Sequence, residues 1–132
     1  MPRDIREIRP FAEFVFRNDL KEINMVKLTV MYNLPPGADH EEFLKWRTGP
    51  HQKDNIQLPG LIRTDFYVIQ DSREGPAPYR YMTEAYFPDM ETFEKAFYDP
   101  DYQVQLQEDL KRIADPLFLI SKEVLTAEAT GD

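Results

Sequence analysis

Met25-Val26-Lys27-Leu28-Thr29-Val30-Met31-Tyr32-Asn33, followed by Leu34-Pro35-Pro36-Gly37, is the stretch that decides the architecture. Its side chains alternate. Val26, Leu28, Val30 and Tyr32 share one face of an extended segment, with Lys27, Thr29, Met31 and Asn33 on the other. That pattern predicts a strand over Met25–Asn33, ended by Pro35-Pro36-Gly37. Asp39 followed by Glu42 has the form of a capping box, in which Asp39 accepts from the free amides of a new helix. Phe43, Leu44 and Trp46 supply the buried face of that helix, and Gly49-Pro50 breaks or bends it. A second short turn then runs through His51 towards Ile56, and Pro59-Gly60 closes the unit.

Beyond this unit, Leu61–Gln70 and Tyr79–Phe87 are rich in β-branched and aromatic residues, and the loop-forming stretch Asp71–Pro78 joins them as a hairpin. Pro88-Asp89 starts a second helical region with Phe93, Ala96 and Phe97 on one face. Asp99-Pro100 restarts it as N-cap and first helical residue, and Tyr102, Leu106, Leu110 and Ile113 continue at helical spacing. Asp115-Pro116 is expected to stop the helix, and Leu117–Leu125 to form the last strand. The order strand, helix, strand, strand, helix, strand, joined by right-handed crossovers, gives an α+β fold of ferredoxin-like βαββαβ type: an antiparallel four-stranded sheet with two helical regions on one face. The domain is expected to span residues 25–125, with an N-terminal arm over 1–24 and a C-terminal tail over 126–132.

Composition narrows the function. The 132 residues suit a single domain, and 42% hydrophobic content with 13% aromatics supplies one core. Without cysteine, thiolate metal sites, disulfides and cysteine nucleophiles are excluded, and a reducing cytoplasm is the simplest location. A net charge of −8 argues against nucleic acid and anionic membrane surfaces as partners. That acidity belongs to the domain, because residues 1–24 carry five charges of each sign. No apolar run approaches the ~20 residues that span a bilayer.

The two faces of the expected sheet differ in character. Val26, Leu28, Val30 and Tyr32 should meet the helices together with Ile62, Thr64, Phe66 and Val68, and with Tyr79, Tyr81, Thr83, Ala85 and Phe87. The other face would carry Met31, Arg63, Asp65, Tyr67, Arg80, Met82, Glu84, Tyr86, Leu117 and Leu119. Large apolar groups mixed with opposite charges suit a covered surface better than a solvated one. Met31, Arg63, Asp65, Tyr67, Arg80, Met82, Glu84 and Tyr86 are therefore the expected homodimer interface, with ion pairs among its charged members; the alternative is a monomer with a polar sheet.

Val26-Lys27-Leu28-Thr29-Val30-Met31-Tyr32 resembles the opening strand of EthD-like proteins. Phe43, Trp46 and His51, then Leu58-Pro59-Gly60-Leu61, resemble their aromatic–His–Pro-Gly signature, and Ala77-Pro78-Tyr79 with Glu84-Ala85-Tyr86-Phe87 their third strand. The resemblance covers about residues 25–125. It implies a dimeric α/β barrel, with a pocket between each sheet and its own helices. It also implies breakdown of ethers and other organic compounds, with no single settled reaction. The wider superfold includes cofactor-free monooxygenases, isomerases, cyclases and haem enzymes, so fold alone does not select among them. One departure stands out: Gln52-Lys53-Asp54 follow His51 where the family often has a small or apolar residue and Pro-Leu.

His51, beside a helix break, is the candidate catalytic acid/base, since imidazole exchanges protons near neutral pH; the alternative is a structural His capping the broken helix. Tyr32, Trp46, Thr64, Phe66 and Tyr81 are the candidate ligand-binding residues, polar points in an otherwise apolar wall. Glu84 is better read as a partner for Arg63 or Arg80 than as a base, and His40 as a solvated residue at a helix start. No metal-ligand spacing, phosphate loop, nucleophile elbow or dinucleotide fingerprint occurs, and no cofactor is expected. The leading expectation is a cofactor-independent enzyme, an oxidoreductase or an isomerase or cyclase, acting by proton transfer in catabolism of a small apolar organic compound. Its rivals are a non-catalytic module that binds a hydrophobic metabolite or assists an oxygenase, and a haem protein with His51 as axial ligand.

Overall fold

The computed structural model describes residues 24–130, so that the expected arm lies, except for Asn24, outside the described residues. Strand β1 (Val26–Asn33) is followed by α1 (His40–Thr48), α2 (Pro50–Asn55), β2 (Arg63–Val68), β3 (Tyr81–Phe87), α3 (Met90–Phe97), α4 (Pro100–Leu110) and β4 (Ala114–Lys122). Each helical region of the expected βαββαβ order is thus two helices. Aspartates start three of them: Asp39, Asp89 and Asp99 accept from the amides of Glu42, Thr92 and Tyr102 at 3.0, 2.8 and 3.0 Å. Pro50 and Pro100 occupy first-turn positions, where no amide donor is missed.

All strand pairings are antiparallel, and the order across the sheet is β2-β3-β1-β4. The fold is α+β and ferredoxin-like, but the expected α/β barrel is not formed. The sheet is open, with β2 and β4 as its two edges. Four strands twisted by about 20–25° at each step make a curved sheet, whereas a closed barrel takes about eight.

Strand ends also differ from expectation. β2 covers only Arg63–Val68, and Ile62, expected to face the helices, is 50% exposed. Tyr79 precedes β3 instead of belonging to it. At the other edge, Asp115-Pro116 was expected to precede the last strand, yet β4 begins at Ala114 and ends at Lys122. The pairing Met31 to Leu117 shifts to Asn33 with Ala114, so β4 holds one extra residue there. Asp115 absorbs it with φ 56°, a bulge in an edge strand where the missing amide of Pro116 costs little.

Cross-strand pairing builds two distinct faces. On the helix side, Phe66, Thr83, Val30 and Phe118 form one row across all four strands, and Thr64, Ala85, Leu28 and Ile120 the next. Val26, Leu28, Ala85 and Phe87 pack there against Phe93, Ala96 and Phe97 of α3. Tyr32 and Tyr81 pack against Phe43 of α1. On the opposite face, Tyr67, Met82, Met31 and Leu117 form an apolar row across the same four strands.

The loop before β2 is pinned by Gly60, which has φ +81° and would drive a Cβ into Thr92 Cγ2. Gly60→Ala combines left-handed strain with overpacking and is expected to cost about 2–4 kcal/mol by urea denaturation. A Thr92→Ser background, lacking Cγ2, should recover the steric share only.

Candidate functional site

A cavity of about 90 Å³ lies between the helix face of the sheet and helices α1, α2 and α4. It exists because the sheet presents small side chains, Thr64, Thr83 and Ala85, at its centre, and because Gly49-Pro50 turns the chain between α1 and α2. Most of its wall is aliphatic or aromatic, including Leu28, Val30, Leu58, Leu61, Leu106 and Phe118. A cavity of 150 Å³ holds a benzene ring, so this smaller one has room for a few heavy atoms or the end of a longer molecule.

His51, in the first turn of α2, is in the wall. Its ring stacks on Trp46, with centroids 4.2 Å apart and planes at 23°. Trp46 in turn carries the Arg112 guanidinium 4.4 Å from its centroid. Asp109 of α4 places Oδ2 3.6 Å from His51 Nδ1, an ion-pair separation too long for a hydrogen bond. Burial lowers the pKa of His51 below its ordinary value; Asp109 and Asp54 oppose that shift, and Arg47 and Arg112 reinforce it. The imidazole is therefore neutral at pH 7 and free to accept a proton.

Of the candidate ligand-binding residues, Tyr32, Trp46 and Thr64 line the cavity. Phe66 and Tyr81 do not. Phe66 lies under the Arg47 guanidinium, 4.5 Å from centroid to Cζ. Tyr81 is fully buried and its hydroxyl bonds to His40 Nδ1. His40, expected to be solvated, is thus half-buried and stacked on Tyr81 with centroids 5.7 Å apart. Tyr79 is not in the wall either.

Five polar wall residues were not among the expected site residues: Arg47, Asn55, Thr83, Tyr102 and Asp109, of which Thr83 and Tyr102 were expected only on inward faces. Arg47 is 2% exposed, donating from Nη1 to Gln52 Oε1 at 2.8 Å and from Nη2 to Thr83 Oγ1 at 3.1 Å. Gln52, one of the residues departing from the family pattern, is what anchors it. Thr83 Oγ1 also lies 3.0 Å from the Tyr32 hydroxyl. Burial, with Asp109 nearby, pushes the Tyr102 phenol up to about 12, so it stays a donor. Signals for two of these were present. Arg47 follows Phe43 by four residues, and Asp109 follows Leu106 by three, so each shares the inward face of its helix.

The expected interface residues all lie away from the cavity. Met31, Asp65, Met82, Glu84 and Tyr86 are half-buried on the open face, with Arg63, Tyr67 and Arg80 exposed. Arg63 pairs with Asp65 at 3.3 Å and lies 4.1 Å from the Tyr86 centroid. Glu84 pairs with Lys27 at 2.9 Å, and neither Arg63 nor Arg80 is its partner. Cross-strand register explains this: Thr29 opposes Glu84 while Lys27 opposes Tyr86, so Lys27 is the diagonal neighbour of Glu84.

Among the described residues no three His, Asp or Glu side chains converge as metal ligands, and no helix is long and apolar enough to cross a membrane.

Solved structures with the same fold include an ethyl tert-butyl ether D (EthD) family protein from Bacillus halodurans. It is 23% identical over 76% of this chain and 99% of its own, with a TM-score of 0.62. A variant of SnoaB, a cofactor-independent oxygenase from Streptomyces nogalater, is 14% identical over 78% and 96%, with a TM-score of 0.60. A dimeric ferredoxin-like protein of unknown function from Thermobifida fusca is 14% identical over 75% and 91%, with a TM-score of 0.58. At these identities the likeness shows the fold alone. No curated protein matches the sequence. The model of the EthD domain matches residues 35–117, from the loop after β1 into β4, which includes the whole α1–α2 unit bearing Trp46, Arg47 and His51. With more than half of its length matched, the chain belongs to the EthD domain family.

Proposed function

We propose that this protein is a small-molecule enzyme that works by proton transfer without a resident cofactor, with His51 as the acid/base. The observation that carries the reading is a neutral, desolvated imidazole in the wall of a largely apolar cavity, with a carboxylate beside Nδ1. Asp109 stabilises the imidazolium that forms when Nε2 takes a proton, and the Trp46 stack limits how the ring can turn. Tyr32 and Thr64 orient the ligand, and Tyr102 offers a phenol that remains protonated. The SnoaB neighbour, a cofactor-independent oxygenase, is consistent with chemistry that needs no resident cofactor.

Native mass spectrometry of freshly purified protein, with denaturing analysis of whatever is released, tests the reading. A small organic molecule that exchanges a carbon-bound proton for deuterium in the presence of the protein supports it. A bound molecule that stays unchanged, with no exchange, would make the protein a binding module.

We also propose that the chain pairs with a second copy through the open face of its sheet. The support is the apolar row from Tyr67 to Leu117, in which Tyr67 is 47% and Leu117 36% exposed, with Leu119, 42% exposed, in the neighbouring row. The dimeric neighbour from Thermobifida fusca is consistent with this. Tyr67→Lys is expected to turn a dimer into a monomer by light scattering at micromolar concentration, with helix and strand content unchanged. A wild-type monomer would refute the pairing.

A further inference from the structure

Among the described residues Arg47 is the one guanidinium in the wall of the cavity, and it is almost wholly buried. Its hydrogen-bond partners are neutral, the Gln52 carbonyl oxygen and the Thr83 hydroxyl, and the face of Phe66 lies 4.5 Å away. Among the described residues no ion pair joins it to Asp109 or to any other carboxylate. A buried cation without a counterion is costly, and proteins normally place a carboxylate against one. Two bonds leave the planar fork with donors to spare, since a guanidinium carries five.

A second observation points to the same corner. Thr64 Oγ1 is buried with no hydrogen-bond partner among the described residues, and it too is in the cavity wall. Thr64 opposes Ala85, and Phe66 opposes Thr83, so the two threonines are diagonal neighbours on the same face of the β2–β3 pair. The cavity wall therefore has a hydroxyl-lined cationic corner at Arg47 and an anionic group at Asp109.

We infer that the natural ligand is a small organic anion, a carboxylic acid of a few carbons, whose carboxylate sits on Arg47 between Thr83 and Thr64. The inference rests on the reading of the cavity as the ligand site, but not on any catalytic role of His51. A permanent anion is favoured over a neutral carbonyl because Arg47 is charged before any ligand arrives and no carboxylate among the described residues is paired with it. Asp109 repels a carboxylate from its own corner, which fixes the ligand's direction: acid group at Arg47, apolar end against Leu106 and Phe118. The net charge of −8 opposes approach of an anion only at long range, where salt screens it within about 10 Å.

Trp46, the only tryptophan, is in the cavity wall, so its indole N–H resonance reports occupancy at a single site. Titration of the full chain with butyrate, butyramide and chloride at matched ionic strength tests the inference. Butyrate is expected to shift that resonance saturably, with an affinity about tenfold or more above that of butyramide, and chloride to leave it unmoved. Arg47→Met should erase the preference for butyrate over butyramide. Arg47→Lys, which keeps the charge but loses the fork, should retain part of it. If Arg47→Met does not fold, the wild-type and Arg47→Lys titrations still decide.

Butyramide binding as well as butyrate would overturn the anionic ligand and leave the cavity as a neutral-ligand site. A shift produced equally by chloride would also overturn it, reducing the corner to a site for any small anion. No shift with any probe would refute both the anion and the cavity's role as the ligand site.

Discussion

His51→Gln is expected to lower kcat/KM by about 10²–10⁴-fold on any substrate whose turnover begins with proton abstraction, with ligand affinity little changed. Glutamine fills much of the same volume and can still rest against Trp46, but it cannot accept and return a proton. The loss should therefore be in kcat, with KM near the wild-type value. The pH profile adds a second readout. Burial lowers the folded-state pKa of His51 below its ordinary 6.5, so the neutral base is already formed at pH 7. The wild-type kcat/KM should fall as pH drops through that lowered value, and this limb should vanish in the variant.

The same shift has a sign for stability. A histidine held neutral by the folded state contributes fully above its unfolded pKa of about 6.5, and its contribution is lost as pH falls from there through the folded value. Acid-side stability should therefore be less pH-dependent in His51→Gln than in the wild type over that window. Equal rates and equal pH profiles in the two proteins would make His51 a structural residue of the α1–α2 break.

Phe93→Ala is expected to destabilise the fold by about 3–5 kcal/mol in chemical denaturation, enough to leave a domain of ordinary stability marginal or unfolded at 37 °C. Phe93 is completely buried. Its ring meets Phe87 edge-on with centroids at 5.3 Å, stacks on Phe97 at 5.2 Å, and meets Tyr98 edge-on at 6.2 Å. Truncation removes the transfer free energy of the ring and leaves a void bounded by β3 and α3, elements too rigid to collapse into it. Phe93→Leu retains most of the apolar volume and loses the ring geometry, so its cost should be less than half as large. Because Phe93 itself does not line the cavity, Phe93→Leu should bind ligand nearly as the wild type does.

Most of the architecture was legible because it is carried by local signals. The alternation from Val26 to Tyr32 assigned faces to β1, and the registers with β3 and β4 follow those faces. Asp39, Asp89 and Asp99 marked helix starts, since a carboxylate one residue ahead of a helix can reach its free amides whatever the rest of the chain does. The place of His51 at the start of α2 was legible from Gly49-Pro50. The edges were harder to read. Ile62 and Tyr79 have strand-forming side chains but fall outside β2 and β3, and Asp115-Pro116 reads as a helix stop yet lies within β4. A sheet edge accepts a bulge because its outer backbone groups need no partner there, and nothing in a dipeptide states that it will lie at an edge.

The sequence by itself determined the order of elements, the helix caps, the two faces of β1 and the break that carries His51, because these depend on residues within a turn or two of one another. Only the tertiary structure decided that the sheet stays open at β2 and β4, that Lys27 and not an arginine pairs with Glu84, that Tyr81 closes on His40, and that Arg47 and Asp109 share one cavity. Each of those facts joins residues far apart in the chain, and whether a charged side chain ends in water or inside depends on what packs over it. Arg47 and Thr83, 36 residues apart, are joined only when α1 lies across β3.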